Sequence, residues 1–304
     1  MSKHLIIDGG FVCAQAYYTT GHLESSSYDA TGVIFGFLSR LLVLARTVDC
    51  YKFIFTWDTR KSYRKNAYKA YKESRTKDMT EEQLQERILY YKQVDRLRDE
   101  IIPRLGFKNN FYQSGLEADD LIAEVSQNLD GYGWIVSSDQ DLYQLLRDNV
   151  SMLIPQLGRK PTKLYTSDDF RLEFGISPED WWKVKAIMGC QSDNVAGIPG
   201  VGVKTALKYL KGELSKTSKQ YARIKEQWDI VKRNVPLVKL PHKNTKPVSF
   251  SEDETSFQEF LNVCEELEFT SFLKERDDWN KVFGGSGRTI RRRLNETRRR
   301  KIKR

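Results

Sequence analysis

Short continuous apolar runs alternate with longer, helically spaced stretches along the first half of the chain. Leu5-Ile6-Ile7, Phe53-Ile54-Phe55 and Trp134-Ile135-Val136 have strand length, and their residues are mostly β-branched or aromatic. The pattern predicts strands over residues 4–8, 52–57, 107–112 and 134–136. It predicts helices from Gly32 to Val48, after Glu117 and from Asp141. A further helix, opening on the capped start Thr80-Glu81-Glu82, runs towards Pro103. Strands alternating with helices indicate an α/β fold whose mainly parallel central sheet is flanked by helices. In open sheets of this kind ligands bind beyond the carboxyl ends of the strands. Asp8, Asp58 and Asp139 all fall at such ends.

After Gly175 the rhythm changes. Ser177-Pro178-Glu179-Asp180 starts a helix through Trp181 to Met188, and Asp193 opens a glycine-rich stretch. Gly197, Gly200 and Gly202 allow a turn that exposes consecutive backbone N–H groups beside a helix N-terminus. Lys204 lies in that next helix, which continues to Leu210. Such an arrangement binds phosphate without reading bases, although a plain glycine-rich connector between helices has the same composition. Residues 236–256 read as a surface connection and 257–273 as a helix. Gly284-Gly285-Ser286-Gly287 reads as a flexible joint. No internal repeat is visible. The apolar run from Val33 to Leu44 is interrupted by Ser39 and Arg40 and is shorter than a bilayer span, so it predicts a buried helix and no membrane partner.

Composition narrows the class. With 304 residues, 39% hydrophobic and 12% aromatic, the chain can bury a sizeable core. Cys13, Cys50, Cys190 and Cys264 are far apart and form no C-x-x-C pair, which suggests neither a zinc site nor a disulfide framework and fits a reducing compartment. The net charge of +9 is uneven: residues 288–304 carry ten Lys/Arg and one acid. The rest of the chain is formally neutral, so a basic tail for a polyanionic partner, a solubilising tail and a nuclear-type address all remain open.

Acids dominate the candidate chemistry. Glu117, Asp119 and Asp120 lie within four residues, and Asp139 and Asp141 follow the strand at 134–136. Two unit charges about 5 Å apart repel by roughly 3 kcal/mol at an effective dielectric of about 20. A chain that gathered them would need divalent metal, and oxygen-only ligands suit Mg²⁺ or Mn²⁺. Taken singly, Asp119 and Asp120 also suit the first turn of a helix, and Asp8 and Asp58 suit strand ends, with no metal. The insert at 59–102 interleaves Arg60, Lys61, Arg64, Lys65, Lys69, Lys72, Arg75 and Lys77 with Tyr63, Tyr68 and Tyr71. Cations and rings together suit single-stranded nucleic acid; the alternative is a solvated basic helix whose tyrosines pack on the core.

The ordered set of motifs resembles the structure-specific 5′ nucleases, particularly bacteriophage flap endonucleases and the 5′-nuclease domains of bacterial DNA polymerase I. It runs from Ile6-Ile7-Asp8-Gly9 through Asp58, Tyr63-Arg64, Tyr71-Lys72-x-x-Arg75, Glu117-Ala118-Asp119-Asp120 and Ser138-Asp139-Gln140-Asp141. It ends in Lys185-Ala186-Ile187-Met188-Gly189 and Gly200-Val201-Gly202. Together these cover roughly residues 4–212.

The resemblance implies a PIN-like fold: a nuclease domain over 1–176 containing the arch insert 59–102, a helix–three-turn–helix subdomain over 177–283, and a basic tail over 284–304. It implies a first metal cluster of Asp8, Asp58, Glu117, Asp119 and Asp120, and a second of Asp139, Asp141 and Asp193. Lys72 and Arg75 would lie on the scissile phosphate and Tyr71 on the terminal base. Arg64, Lys185, Gly197, Gly200, Gly202 and Lys204 would contact DNA, with K⁺ at the glycine turn. The implied protein is a monomeric, Mg²⁺- or Mn²⁺-dependent 5′-3′ exonuclease and flap endonuclease using two or more ions. It would act on DNA carrying a 5′ flap and duplex, in replication, within the cytoplasm (the host's, if the chain is phage-encoded). Cys190 stands where the family usually has Asp, and a thiol is a poor Mg²⁺ ligand. A DNA-structure-binding homologue with impaired catalysis therefore stays open; separately, so does a nuclease acting on RNA of RNA–DNA hybrids.

Overall fold

A computed structural model describes residues 2–73, 79–155 and 161–283. Arg75 and the basic tail lie outside the described residues. The chain forms two compact units that interleave along the sequence. The first comprises Met1–Gly9, Thr56–Glu81 and Phe111–Val248, and the second Gly10–Phe55, Glu82–Asn110 and the chain from Ser249.

The first unit holds a mainly parallel sheet with flanking helices. Strand β1 (Lys3–Asp8) pairs in parallel with β4 (Tyr132–Val136), and β4 in parallel with β5 (Val150–Ile154). An antiparallel strand, β6 (Lys163–Tyr165), closes that edge. Leu5, Ile6, Ile7, Ile135 and Val136 are fully buried, as an apolar run covered on both faces should be. Helix Ala118–Asn128 buries Leu121, Ile122 and Val125. Helix Trp181–Met188 buries Trp181, Val184 and Ile187. A two-stranded ribbon, β7 (Gly189–Cys190) with β8 (Val195–Ala196), follows directly. Helices Val203–Leu210, Lys219–Glu226 and Trp228–Val238 complete the unit.

The second unit is built on helix Gly32–Val48. Its start is fixed by Gln93, whose Oε1 accepts the Val33 N–H at 2.9 Å. Gln93 is one of two buried residues of helix Glu81–Arg96, which is otherwise mostly exposed. Helix Phe257–Glu266 sets Phe260 against Trp279 and Phe283, with ring centroids 4.5 and 4.7 Å apart. Arg104 joins Glu259 and Glu266 on that helix.

Strand β2 (Phe53–Thr56) meets the chain before and after β3 (Asn110–Phe111): Phe55 N–H donates to Asn109 O at 2.8 Å and Trp57 N–H to Phe111 O at 3.1 Å. Three expectations change. The strand over 107–112 is only two residues long. The helix over 257–273 stops at Glu266. The helix expected from Asp141 is a 3₁₀ turn, Gln140–Leu145. Among the described residues no helix is long and apolar enough to cross a membrane.

Gly9 follows Asp8 because a side chain there would strike Trp57. A Cβ would lie 2.4 Å from the ring, and Trp57 is almost wholly buried. Gly9→Ala therefore displaces the residue beside Asp58 and should cost about 1–3 kcal/mol. It should lower the denaturant midpoint at unchanged slope; an unaltered midpoint would show that Trp57 yields freely.

Candidate metal centre and nucleic-acid interface

Ile7 pairs with Val136 across the parallel strands, so Asp8 and the segment after β4 leave the sheet at the same end. The Ser137 hydroxyl donates to Asp8 Oδ2 at 2.9 Å, and the Asp139 N–H donates back to Ser137 Oγ at 3.3 Å. Asp58 accepts the Ala118 N–H at 3.0 Å through Oδ1, which fixes it against the first turn of helix Ala118–Asn128. Asp119 lies in that turn. Its carboxyl is pushed well above the usual range, first by desolvation, then by Asp139, Asp8 and Asp58, while Lys72 opposes them. Four elements thus deliver four mutually repelling carboxylates to one place.

Glu117 stands at the helix N-terminus with its own counter-ion. One oxygen, Oε2, accepts from Tyr71 OH at 2.9 Å and from Lys72 Nζ at 3.0 Å. Lys72 pays a backbone penalty to be there, with φ at +54° in the left-handed region. Its amide donates to Asp193 O at 2.9 Å. Although desolvation opposes the charge, Glu117, Asp193 and Asp119 hold the ammonium above its ordinary value.

Asp120 does not join this group. Its oxygens accept both ends of the Arg64 guanidinium at 2.6 and 2.7 Å, and also the His242 N–H at 2.8 Å and the Glu117 N–H at 3.2 Å. Arg64 Nε donates to Leu237 O at 3.0 Å. Arg64 is 3% exposed and Asp120 not at all. The pair is an internal clamp, so neither the metal-ligand expectation for Asp120 nor the DNA-contact expectation for Arg64 fits. Tyr71, expected on a terminal base, is 3% exposed and bonded to Glu117.

A second donor set lies beyond the first. Donor atoms of Asp141, Cys190 and Asp193 all fall within 4.8 Å of one another. The ribbon β7–β8 brings Cys190 and Asp193 together. Trp181 Nε1, donating to Gln140 O at 2.8 Å, fixes the turn that carries Asp141. Lys185, expected on DNA, instead places Nζ 2.5 Å from Asp141 Oδ1 and is buried. Burial, then Asp139, pushes the Asp141 carboxyl up to about 6 against the pull of Lys185. Asp139 therefore faces both groups rather than belonging to the second alone. Cys190 Sγ rests 3.0 Å from Ser192 Oγ.

The glycine element is built as a turn. A Cβ on Gly197 would lie 2.0 Å from the Met188 carbonyl carbon, and Gly200 has φ +73°. Gly202 faces open space and caps helix Val203–Leu210, where Lys204 is exposed. Its backbone can approach an extended anion closely. Sequence reasoning missed Ser137, His242 and Gln144. Ser137 was discoverable as the first hydroxyl after the apolar run, two residues before Asp139. Gln144 bridges Val238 O and the Leu240 N–H, and His242 serves through its backbone; neither carries a local signal.

A model of the 5′-3′ exonuclease N-terminal resolvase-like domain matches residues 3–175. The chain is 30% identical over 247 residues to a 5′-3′ exonuclease of Buchnera aphidicola from Acyrthosiphon pisum, covering 80% of this chain and 81% of that protein. It is 32% identical over 230 residues to the thermostable DNA polymerase I of Thermus thermophilus, covering 73% of this chain and 26% of the polymerase. The fold is shared with the flap endonuclease of bacteriophage T5, solved in a pseudo-enzyme-product complex with DNA and metal ions. That match has a TM-score of 0.62 at 22% identity, over 78% of this chain and 88% of that one.

Two outcomes follow from this geometry. Arg64→Ala strands the buried Asp120 charge and should cost about 3–5 kcal/mol of folding stability in chemical denaturation; a loss under about 1 kcal/mol would reduce the clamp to a surface-grade pair. In chelated protein, raised carboxyls such as Asp141 bind more protons folded than unfolded, between the ordinary carboxylate range and about 6. Stability from this source falls as pH rises through that window. Asp141→Asn should flatten the loss between about pH 4.5 and 6.5, and a slope equal to the wild type would refute the raised carboxyl.

Proposed function

We propose that this chain, which belongs to the 5′-3′ exonuclease family, hydrolyses DNA phosphodiesters at 5′ flaps, nicks and free 5′ ends, leaving 5′ phosphates. The observation that carries this reading is the Asp119 carboxyl among Asp139, Asp8 and Asp58. An all-oxygen donor set under mutual repulsion fits hard divalent cations, Mg²⁺ or Mn²⁺. Asp8, Asp58, Glu117, Asp119 and Asp139 would hold them. A divalent cation there supplies Lewis acidity, making bound water a nucleophile near neutral pH and stabilising phosphoryl oxygens.

The chain's own residues do the rest. Lys72, held beside Glu117, offers an ammonium to charge that develops on a phosphate. Glu117 is kept in place by Tyr71 and, through the backbone, by the Arg64–Asp120 clamp. The turn at Gly197–Gly202, with Lys204, grips duplex phosphates through backbone N–H groups and one cation, and K⁺ would suit its carbonyls. Arg75 would add a second cation on the scissile phosphate. The T5 protein's complex with DNA and metal ions supports this reading, as does the family's presence in DNA polymerase I, which points to flap or primer removal in replication.

A second reading is carried by Cys190. If its donor set fails to support catalysis, the protein binds branched DNA without cutting it.

A 5′-labelled flap duplex with Mg²⁺ decides between them. Wild type should release the flap, and Asp119→Asn and Lys72→Ala should each lower kcat by at least about 100-fold, the effect of losing one electrostatic group. Binding without cleavage faster than Asp119→Asn would sink the nuclease reading. Equal rates on RNA-tipped and all-DNA flaps would exclude a specifically RNA-directed enzyme.

A further inference from the structure

We infer that the set Asp141–Cys190–Asp193 takes a thiophilic divalent cation of the Zn²⁺ class in preference to Mg²⁺. The inference rests on the nuclease reading only for the presence of metal chemistry nearby; the selectivity comes from this chain's own donors.

The three donors arrive from two backbone segments and lie within 4.8 Å of one another. Cys190 comes from β7, Asp193 from the 3₁₀ turn Gln191–Asp193, and Asp141 from the turn Gln140–Leu145. The ribbon behind Cys190 cannot slide: Gly189 has φ +79°, and a Cβ there would meet Val195 O at 2.4 Å. The sulfur is further located by Ser192 Oγ at 3.0 Å. The donors are therefore positioned by the fold before any cation arrives.

Their chemistry does not fit Mg²⁺. That ion demands near-octahedral oxygen coordination and dehydrates reluctantly. One of the three donors here is sulfur, and one oxygen of Asp141 is already shared with the Lys185 ammonium. The remaining set, two carboxylates and a thiolate, matches the three protein ligands plus an open position of a Zn²⁺ site. Thiolate ligation shifts selection towards Zn²⁺, Co²⁺ and Cd²⁺. The thiol proton passes to solvent on binding. The neighbouring oxygen-only group around Asp119 keeps its preference for a hard cation. The two halves of the centre thus differ in metal class.

Cobalt reports the sulfur directly. Chelated full-length protein, without DNA, is titrated with Co²⁺ while the near-ultraviolet sulfur-to-cobalt charge-transfer band is followed. The band should saturate at one equivalent and vanish in Cys190→Ser. Cys13, Cys50 and Cys264 belong to no metal-holding group among the described residues. Zn²⁺ should displace Co²⁺ far below the Mg²⁺ concentration that does so, and Cys190→Asp, which lacks the sulfur band and is followed by equilibrium dialysis of Co²⁺, should narrow that gap by about 10- to 100-fold. No band in wild type, or a band surviving in Cys190→Ser, overturns the inference, and the wild-type spectrum decides even if a variant fails to fold. Flap cleavage in Mg²⁺ on the same wild-type sample separates the two readings. A band without cleavage supports the site and sinks the nuclease; cleavage without a band does the reverse.

Discussion

Like charges crowded at one end of a sheet are the constraint on which the first unit depends. Each pair about 5 Å apart costs roughly 3 kcal/mol at an effective dielectric near 20, so a fold that collects several must neutralise or separate them. This chain does both. Lys72 is spent on Glu117, Lys185 on Asp141 and Arg64 on Asp120. What is left of the repulsion shows in the Asp119 carboxyl, held up by Asp139, Asp8 and Asp58.

The three pairs have different work. Lys72 and Lys185 each sit on a carboxylate that faces a donor group, so their ammonium ions are local charge balance at the edge of the centre. The Arg64–Asp120 pair is deeper and carries every remaining hydrogen bond inward, to Leu237, His242 and Glu117. A buried pair is weak evidence of net stability, because desolvation offsets its attraction. Its bidentate geometry does define position. It joins the start of helix Ala118–Asn128 to the segment after helix Trp228–Val238, and so sets where Glu117 and Asp119 emerge.

The strands were legible because buried parallel strands are continuous apolar runs, and three of them end next to an acid that the sheet then aligns. The element types failed where distant contacts decide them. Asp141 onward has helical spacing, yet Trp181 on Gln140 and Gln144 on the 238–240 backbone hold it as a 3₁₀ turn. Asp119 and Asp120 are chemically identical neighbours, and no composition rule separates them. Helix geometry does, since successive side chains point about 100° apart at 3.6 residues per turn. One then faces the acids while the other meets an arginine 56 positions earlier. The glycine turn was legible as a turn, because positive φ and close backbone approach leave few other residues possible. The basic character of Arg64 and Lys185 was legible too, but not that both point inward. A cation's partner is set by tertiary structure, and charge alone reads the same on a DNA-facing surface and in a buried pair.

Charge separates the two donor groups further. Around Asp119, the carboxylates of Asp139, Asp8 and Asp58 add to its own, and Lys72, bonded to Glu117, is the cation that opposes them. Oxygen donors gathered this way draw hard cations. Around Cys190, Asp141 and Asp193 face Lys185, and Asp139 lies between the two groups. The sulfur adds a negative charge only when a cation draws off its proton. An aspartate at the same position would make the second group a weaker copy of the first. A cysteine makes its charge conditional on the metal that arrives, and favours metals able to bind sulfur. The substitution thus changes the rule by which the second group chooses its ion, while the four crowded acids around Asp119 keep theirs.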